Sequence, residues 1–162
     1  MTDKDMAKGL FEQAKSSLQA ARQAVRDGHW AYAVRTSQDA SELSLKALLL
    51  SAGVEPPKRH DLGGALRKNE DRLRRLGLGA DEVESLARTA GSLAEDRSKA
   101  LYGDERHKVP ASRLYEEKDA RDALKAAQRV HSRCLEAASA HKAGGRPLSA
   151  ASCSGPDGPY SV

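Results

Sequence analysis

Aromatic side chains make up only 4% of the 162 residues, and there are just two cysteines, Cys134 and Cys153. No CxxC pair occurs, which excludes a disulfide framework and the ordinary zinc-finger and zinc-ribbon patterns and fits a reducing cytoplasm. Val and Ile are sparse beside Ala and Leu. Strands draw on β-branched and aromatic residues, so this composition argues against an all-β domain or a parallel-sheet nucleotide fold. Neither GxGxxG nor GxxxxGK(S/T) is present, and the common phosphate loops go with them. The charged opening, residues 1–5, predicts no signal peptide. Apolar runs such as Ala-Leu-Leu-Leu at 47–50 fall far short of a bilayer span. The expectation is a soluble, cytoplasmic chain, not associated with a membrane, whose length suits one core.

What the chain has is helical periodicity. Leu10, Phe11, Ala14, Leu18, Ala21 and Val25 recur at three- and four-residue spacing and predict a helix over about 5–27, stopped by Gly28. A second helix, about 30–52, carries Trp30, Ala33, Ala40, Leu43, Ala47 and Leu50 before Gly53 and the Pro56-Pro57 stop. A third starts near Asp61 and ends at Gly77. A fourth, about 81–101, bears Val83, Leu86, Ala90 and Leu93. The fifth, about 112–141, aligns Leu114, Ala120, Leu124, Ala127, Val130, Cys134 and Ala138. Residues 144–162 are mostly Gly, Pro, Ser and Ala and predict a disordered tail. The fold class is therefore all-α: an up-and-down bundle of about five helices over residues 1–143, followed by that tail.

The net charge of +4 is matched by one segment. Lys58, Arg59, Arg67, Lys68, Arg72, Arg74 and Arg75 stand there against Asp61, Glu70 and Asp71. Such a basic patch can hold nucleic acid or another polyanion. It reads equally as a solvated helix, and it has no aromatics on which bases could stack.

Arg97 is the most informative single position, because it falls in register with the apolar stripe of the fourth helix. A guanidinium there calls for a carboxylate, a ligand anion or a subunit interface. Otherwise it snorkels at the rim of the bundle. Asp39 and Glu42 flank the stripe of the second helix and are the candidate partners. Their surface alternatives are i,i+4 pairs with Arg35 and Lys46. After Arg97 comes a polar turn with Tyr102, Asp104, Arg106 and His107. His60-Asp61 invites comparison with metal-dependent HD phosphohydrolases, with His29 and Asp119 as further ligands. However, the pair follows Pro56-Pro57-Lys58-Arg59 and sits at a helix start, not after an apolar helix. No Glu-x-x-His occurs, which removes the di-iron bundle. No metal site and no cofactor is expected.

Residues 30–50, running WAYAVRTSQDASELSLKALLL, then Gly53, Pro56-Pro57 and His60-Asp61-Leu62, resemble the second helix and following loop of HEPN domains, the higher eukaryote and prokaryote nucleotide-binding family. The resemblance resumes at Arg97-Ser-Lys-Ala-Leu-Tyr-Gly-Asp and at Tyr115, Asp119-Ala120 and Asp122-Ala123, and spans about residues 5–140. It implies a helical bundle that dimerises. Many such domains are metal-independent RNase toxins of prokaryotic toxin–antitoxin pairs, in which an Arg and a His four to six residues beyond it cut RNA at the dimer interface. Others bind small nucleotidyltransferases, nucleotides or RNA. Here Tyr102 stands where that His would be, and tyrosine, with a pKa near 10, is a poor base at neutral pH. The resemblance therefore implies a non-catalytic binding module with Arg97, Tyr102, Asp104, Asp39 and Glu42 at its site. The alternative is an RNase that has recruited His107 beside Arg97. The Arg22–His29 spacing also fits the motif formally, but Gly28 breaks the helix between them.

Overall fold

A computed structural model describes residues 1–143; the predicted tail, residues 144–162, lies outside the described residues. Helix α1 (Asp3–Asp27) opens with a reciprocal cap in which Thr2 Oγ1 accepts from the Asp5 amide while Asp5 accepts from the Thr2 amide. It closes on Gly28, whose φ of 74° is left-handed. Only His29 separates Gly28 from α2 (Trp30–Ser51), so the two helices form a tight antiparallel pair. Helices α3 (Gly63–Lys68), α4 (Glu70–Arg74), α5 (Ala80–Tyr102) and α6 (Glu117–Ala143) complete an all-α bundle, with a short 3₁₀ turn at Ala111–Arg113.

Two local expectations are corrected. The helix expected between Asp61 and Gly77 is two short helices. Asn69 leaves the helical region (φ −110°, ψ 22°) and its Nδ2 donates to the Ala65 carbonyl at 2.8 Å, closing α3 before α4 begins. The last helix starts at Glu117, not near 112. Pro110 initiates the 3₁₀ turn, and Asp119 Oδ2 accepts from the Glu116 amide at 2.8 Å, capping α6 there and leaving Leu114 outside the helix.

Helix α2 runs through the centre, packed by α1, α5 and α6. Its expected single stripe is too narrow, since Val34, Thr36, Ser37, Gln38, Ser41, Ser44, Leu45, Leu48 and Leu49 are buried as well, while Leu43 is only half-buried. Three of the buried hydroxyls are satisfied within the helix, since Thr36, Ser41 and Ser44 each donate to the carbonyl one turn back, at 2.7–3.1 Å, while Ser37 Oγ has no partner among the described residues. The small side chains let neighbouring helices approach closely.

The interior is divided. One end is leucine-rich, with Leu45, Leu48, Leu49, Leu62, Leu66 and Leu73 almost wholly enclosed, each worth about 2 kcal/mol of burial. The other end is built from smaller groups: Ala24, Val25, Ala33, Val34, Ala100 and Ala120. Between them lies a thin layer of Leu18, Ala40 and Ala127. Cys134, fully buried at the leucine-rich end, has its thiol pushed up to about 12 by burial and behaves as a small apolar residue. No described helix is long and apolar enough to cross a membrane.

Candidate functional site

At the thin layer, the strip of α2 that is not fully enclosed faces α5. Asp39 and Glu42, three residues apart, stand on one side of α2, and Arg97 approaches them from α5. Arg97 Nη1 donates to Asp39 Oδ1 at 2.8 Å and more weakly to Glu42 Oε2 at 3.4 Å. Lys46, one turn beyond Glu42, donates to Glu42 Oε1 at 2.8 Å. Asp39 therefore pairs with Arg97 and not with Arg35, while Glu42 takes both its helical neighbour Lys46 and the distant Arg97.

The loop after α2 adds a histidine that pattern reading did not place here. His60 Nδ1 lies 3.0 Å from Glu42 Oε2, the same oxygen that Arg97 approaches. Since a carboxylate oxygen only accepts, the imidazole Nδ1–H donates in this contact. Asp61, the other half of the pair that suggested a metal site, instead accepts from the Gly63 amide at 2.8 Å and starts α3. Among the described residues no three His, Cys, Asp or Glu side chains converge as a metal site.

The charges in this cluster are almost balanced: Asp39 and Glu42 are answered by Arg97 and Lys46. Arg97 uses only Nη1, so Nε and Nη2 keep their hydrogens for a further acceptor. Arg97 and Asp39 are each about a third exposed, which puts the cluster within reach of solvent. Below it, Gln38, Leu45, Leu93 and Ala94 line a recess of about 10 Å³.

The turn after α5 forms a separate group. Gly103 (φ 84°) lets the chain double back, and Asp104 and Val109 exchange backbone hydrogen bonds at 2.8 and 3.0 Å. Within this turn Asp104 accepts from both the His107 amide (3.0 Å) and its Nδ1 (2.8 Å). These contacts hold the Asp104 carboxyl below the usual carboxylate range, the imidazole contributing most. His107 is exposed and has its own carboxylate, so Arg97 and His107 are tied to different anions. Tyr102 is 67% exposed and joins neither network.

All seven basic residues of the predicted patch are exposed. Arg67 is engaged by Glu84 through two hydrogen bonds of 2.9 and 3.0 Å, Arg72 donates to the Gly53 carbonyl, and Arg74 stands 4.0 Å from Glu70. Lys58, Arg59, Lys68 and Arg75 have no ion pair among the described residues.

His131, on α6, packs against both α2 and α1. Its Nδ1 lies 3.1 Å from Ser44 Oγ, and its ring meets Phe11 edge-on at 6.0 Å. Because the Ser44 hydroxyl donates to Ala40, His131 supplies the proton of this contact. Burial, then the charges of Lys15 and Arg22, pull its pKa below the ordinary value.

The comparisons with known proteins agree with this architecture. The chain is similar to TT1696 from Thermus thermophilus, whose crystal structure superposes with a TM-score of 0.64 at 28% identity, covering 81% of this chain and 97% of that one. No curated protein matches significantly. The family description "HEPN domain" matches residues 7–137, which include α2, α5 and most of α1 and α6 together with Arg97, Asp39 and Glu42. With that match over most of its length, the chain belongs to the HEPN domain family.

Proposed function

We propose that this protein is a non-catalytic HEPN module, one bundle over residues 1–143, that dimerises, holds a nucleotide or RNA at the Arg97 cluster, and pairs with a small nucleotidyltransferase in a toxin–antitoxin-like system. The observation that carries this reading is the state of Arg97. It is oriented by Asp39 and Glu42 with two nitrogens uncommitted, while the position of the family's histidine holds an exposed tyrosine. A positioned guanidinium suits phosphate recognition, since its planar donors match two oxygens at once. The unpaired Lys58, Arg59, Lys68 and Arg75 supply longer-range attraction for a polyanion. Exposed Tyr32 and Tyr102 are of the type enriched at protein interfaces and support a dimer.

The deciding experiment incubates purified protein with RNA in EDTA while measuring binding by fluorescence anisotropy. Binding without cleavage is expected; cleavage overturns the reading. One observation favours the alternative, a metal-independent RNase using Arg97 and His107. The Asp104–His107 pair is a carboxylate-oriented imidazole, as a general base requires. That alternative predicts cleavage that vanishes in His107→Ala.

A further inference from the structure

We propose that the trough where α1, α6 and the end of α2 meet binds a small amphipathic carboxylate, with Lys15 holding the headgroup and the apolar body lying along Phe11 and Leu135. The trough shares no residue with the Arg97 cluster, and its ligand is separate from the nucleotide or RNA proposed there.

The three helices leave a gap of about 510 Å³ between them, the size of a small-molecule pocket. Its α1 wall runs from Asp3 to Lys15, about 18 Å of helix at 1.5 Å per residue, so it can take an extended chain. The floor is apolar, with Ala7 and Phe11 from α1 and Leu50 from α2 all buried beneath it. From α6, Leu135 forms the facing wall and is 42% exposed; no other leucine among the described residues is exposed. An isolated surface leucine needs no explanation, but this one borders an apolar floor and extends it into one continuous lining.

The rim supplies the charge. Lys4, Lys8 and Lys15 stand along it against Asp3 and Glu12, which leaves one positive charge over. Lys8 lies 4.0 Å from Glu12, whereas Lys15 makes no ion pair among the described residues. The charge of Lys15 also reaches His131, which lines the same trough. An ammonium without a counter-ion beside an apolar floor matches a ligand with one anionic group on an apolar body. A single excess charge suits a monoanionic carboxylate better than a doubly charged phosphate. The lining also contains no arginine, so it has no planar fork with which to grip a phosphate at two oxygens. The carboxylate pairs with Lys15, and the apolar body covers Phe11 and Leu135.

The test titrates the full chain with decanoate and with decylamine at neutral pH, two probes with the same unbranched chain length and opposite charges, followed by calorimetry. Decanoate is expected to bind about tenfold tighter, since attraction of one headgroup and repulsion of the other are each worth up to several-fold at an exposed lysine. Lys15→Glu, at an exposed position, removes that preference. Lys68→Glu makes the same change in net charge at an exposed position outside the trough and keeps it. Leu135→Gln, also exposed, weakens both probes by about fivefold through lost apolar contact. Failure of both probes to bind overturns the inference, and so does equal binding of the two by the unmodified protein. A preference lost as fully in Lys68→Glu as in Lys15→Glu, or affinities unchanged in Leu135→Gln, overturns it as well.

Discussion

Arg97 Nη1 and Asp39 Oδ1 meet at 2.8 Å across 58 positions of sequence, and this contact joins α5 to the central helix at the thinnest layer of the interior. Removing the guanidinium in Arg97→Ala leaves two carboxylates without their cross-helix partner. Because the pair is about a third exposed, water recovers much of the loss, and the expected cost is about 1 kcal/mol, or about 3 °C in Tm. Arg97→Lys should keep that stability and still weaken RNA or nucleotide binding, since lysine lacks the fork. Calorimetry and anisotropy on the two variants separate the effects.

Tyr102→His restores the family's spacing, an arginine and a histidine with four residues between. Tyr102 is exposed, so the substitution costs little stability. Metal-independent RNA cleavage is expected in this variant and not in the unmodified protein, assayed on labelled RNA in EDTA. Cleavage already present before the substitution, and abolished in His107→Ala, points to the alternative.

Light scattering should report a dimer, twice the 17.4 kDa of one chain, at micromolar concentration. The physical motive is a core built largely of alanine outside its leucine-rich end, for which a second subunit adds burial. Charge reversal at Arg35, half-buried on the same strip of α2 as Tyr32 and Asp39, should shift the equilibrium toward monomer.

His131 makes stability depend on pH. Its pKa is lowered in the fold by burial, so the folded state favours the neutral ring. As pH falls through the ordinary histidine value of 6.5, the unfolded chain takes up a proton before the folded one does. Stability is therefore complete above that value and declines below it, levelling off under the folded pKa. In His131→Gln the Tm should fall less between pH 7.5 and 5.5, about one unit either side of the ordinary histidine value, as thermal melts at both will show.

Gly103→Ala is expected to destabilise the turn that carries Asp104 and His107. A Cβ there would collide with the Val109 carbonyl oxygen and lie 2.8 Å from the Ala111 nitrogen, at a φ of 84°. Both contacts are backbone, so the loop itself must move, at a cost of about 1–3 kcal/mol. A lowered Tm with the Asp104–Val109 amides losing protection from hydrogen exchange is the expected result.

Helix content and helix limits were legible because they depend on neighbours in sequence. The apolar spacing in α1, α2 and α5, and the stops at Gly28, Gly53 and Pro56-Pro57, are local signals, and the structure follows them within a few residues. The break at Asn69 and the late start of α6 were missed because single side-chain hydrogen bonds, from Asn69 Nδ2 and to Asp119 Oδ2, outweigh periodicity there. For the site, a charged residue on an apolar stripe marked Arg97, and the two carboxylates bordering the stripe of α2 were its evident candidates. Which carboxylate would take the stronger bond, that Asp104 would keep His107 in a network of its own, and that His60 would join Glu42 depended on how the helices cross. Local spacing holds no information about crossing. The same is true of the polar interior of α2, where α1, α5 and α6 enclose Gln38 and Ser44. Sequence by itself determined the helices and the family, because hydrogen bonding and apolar periodicity act over a few residues. Only the tertiary structure decided which polar groups share a site, because that is set by packing between segments far apart in the chain.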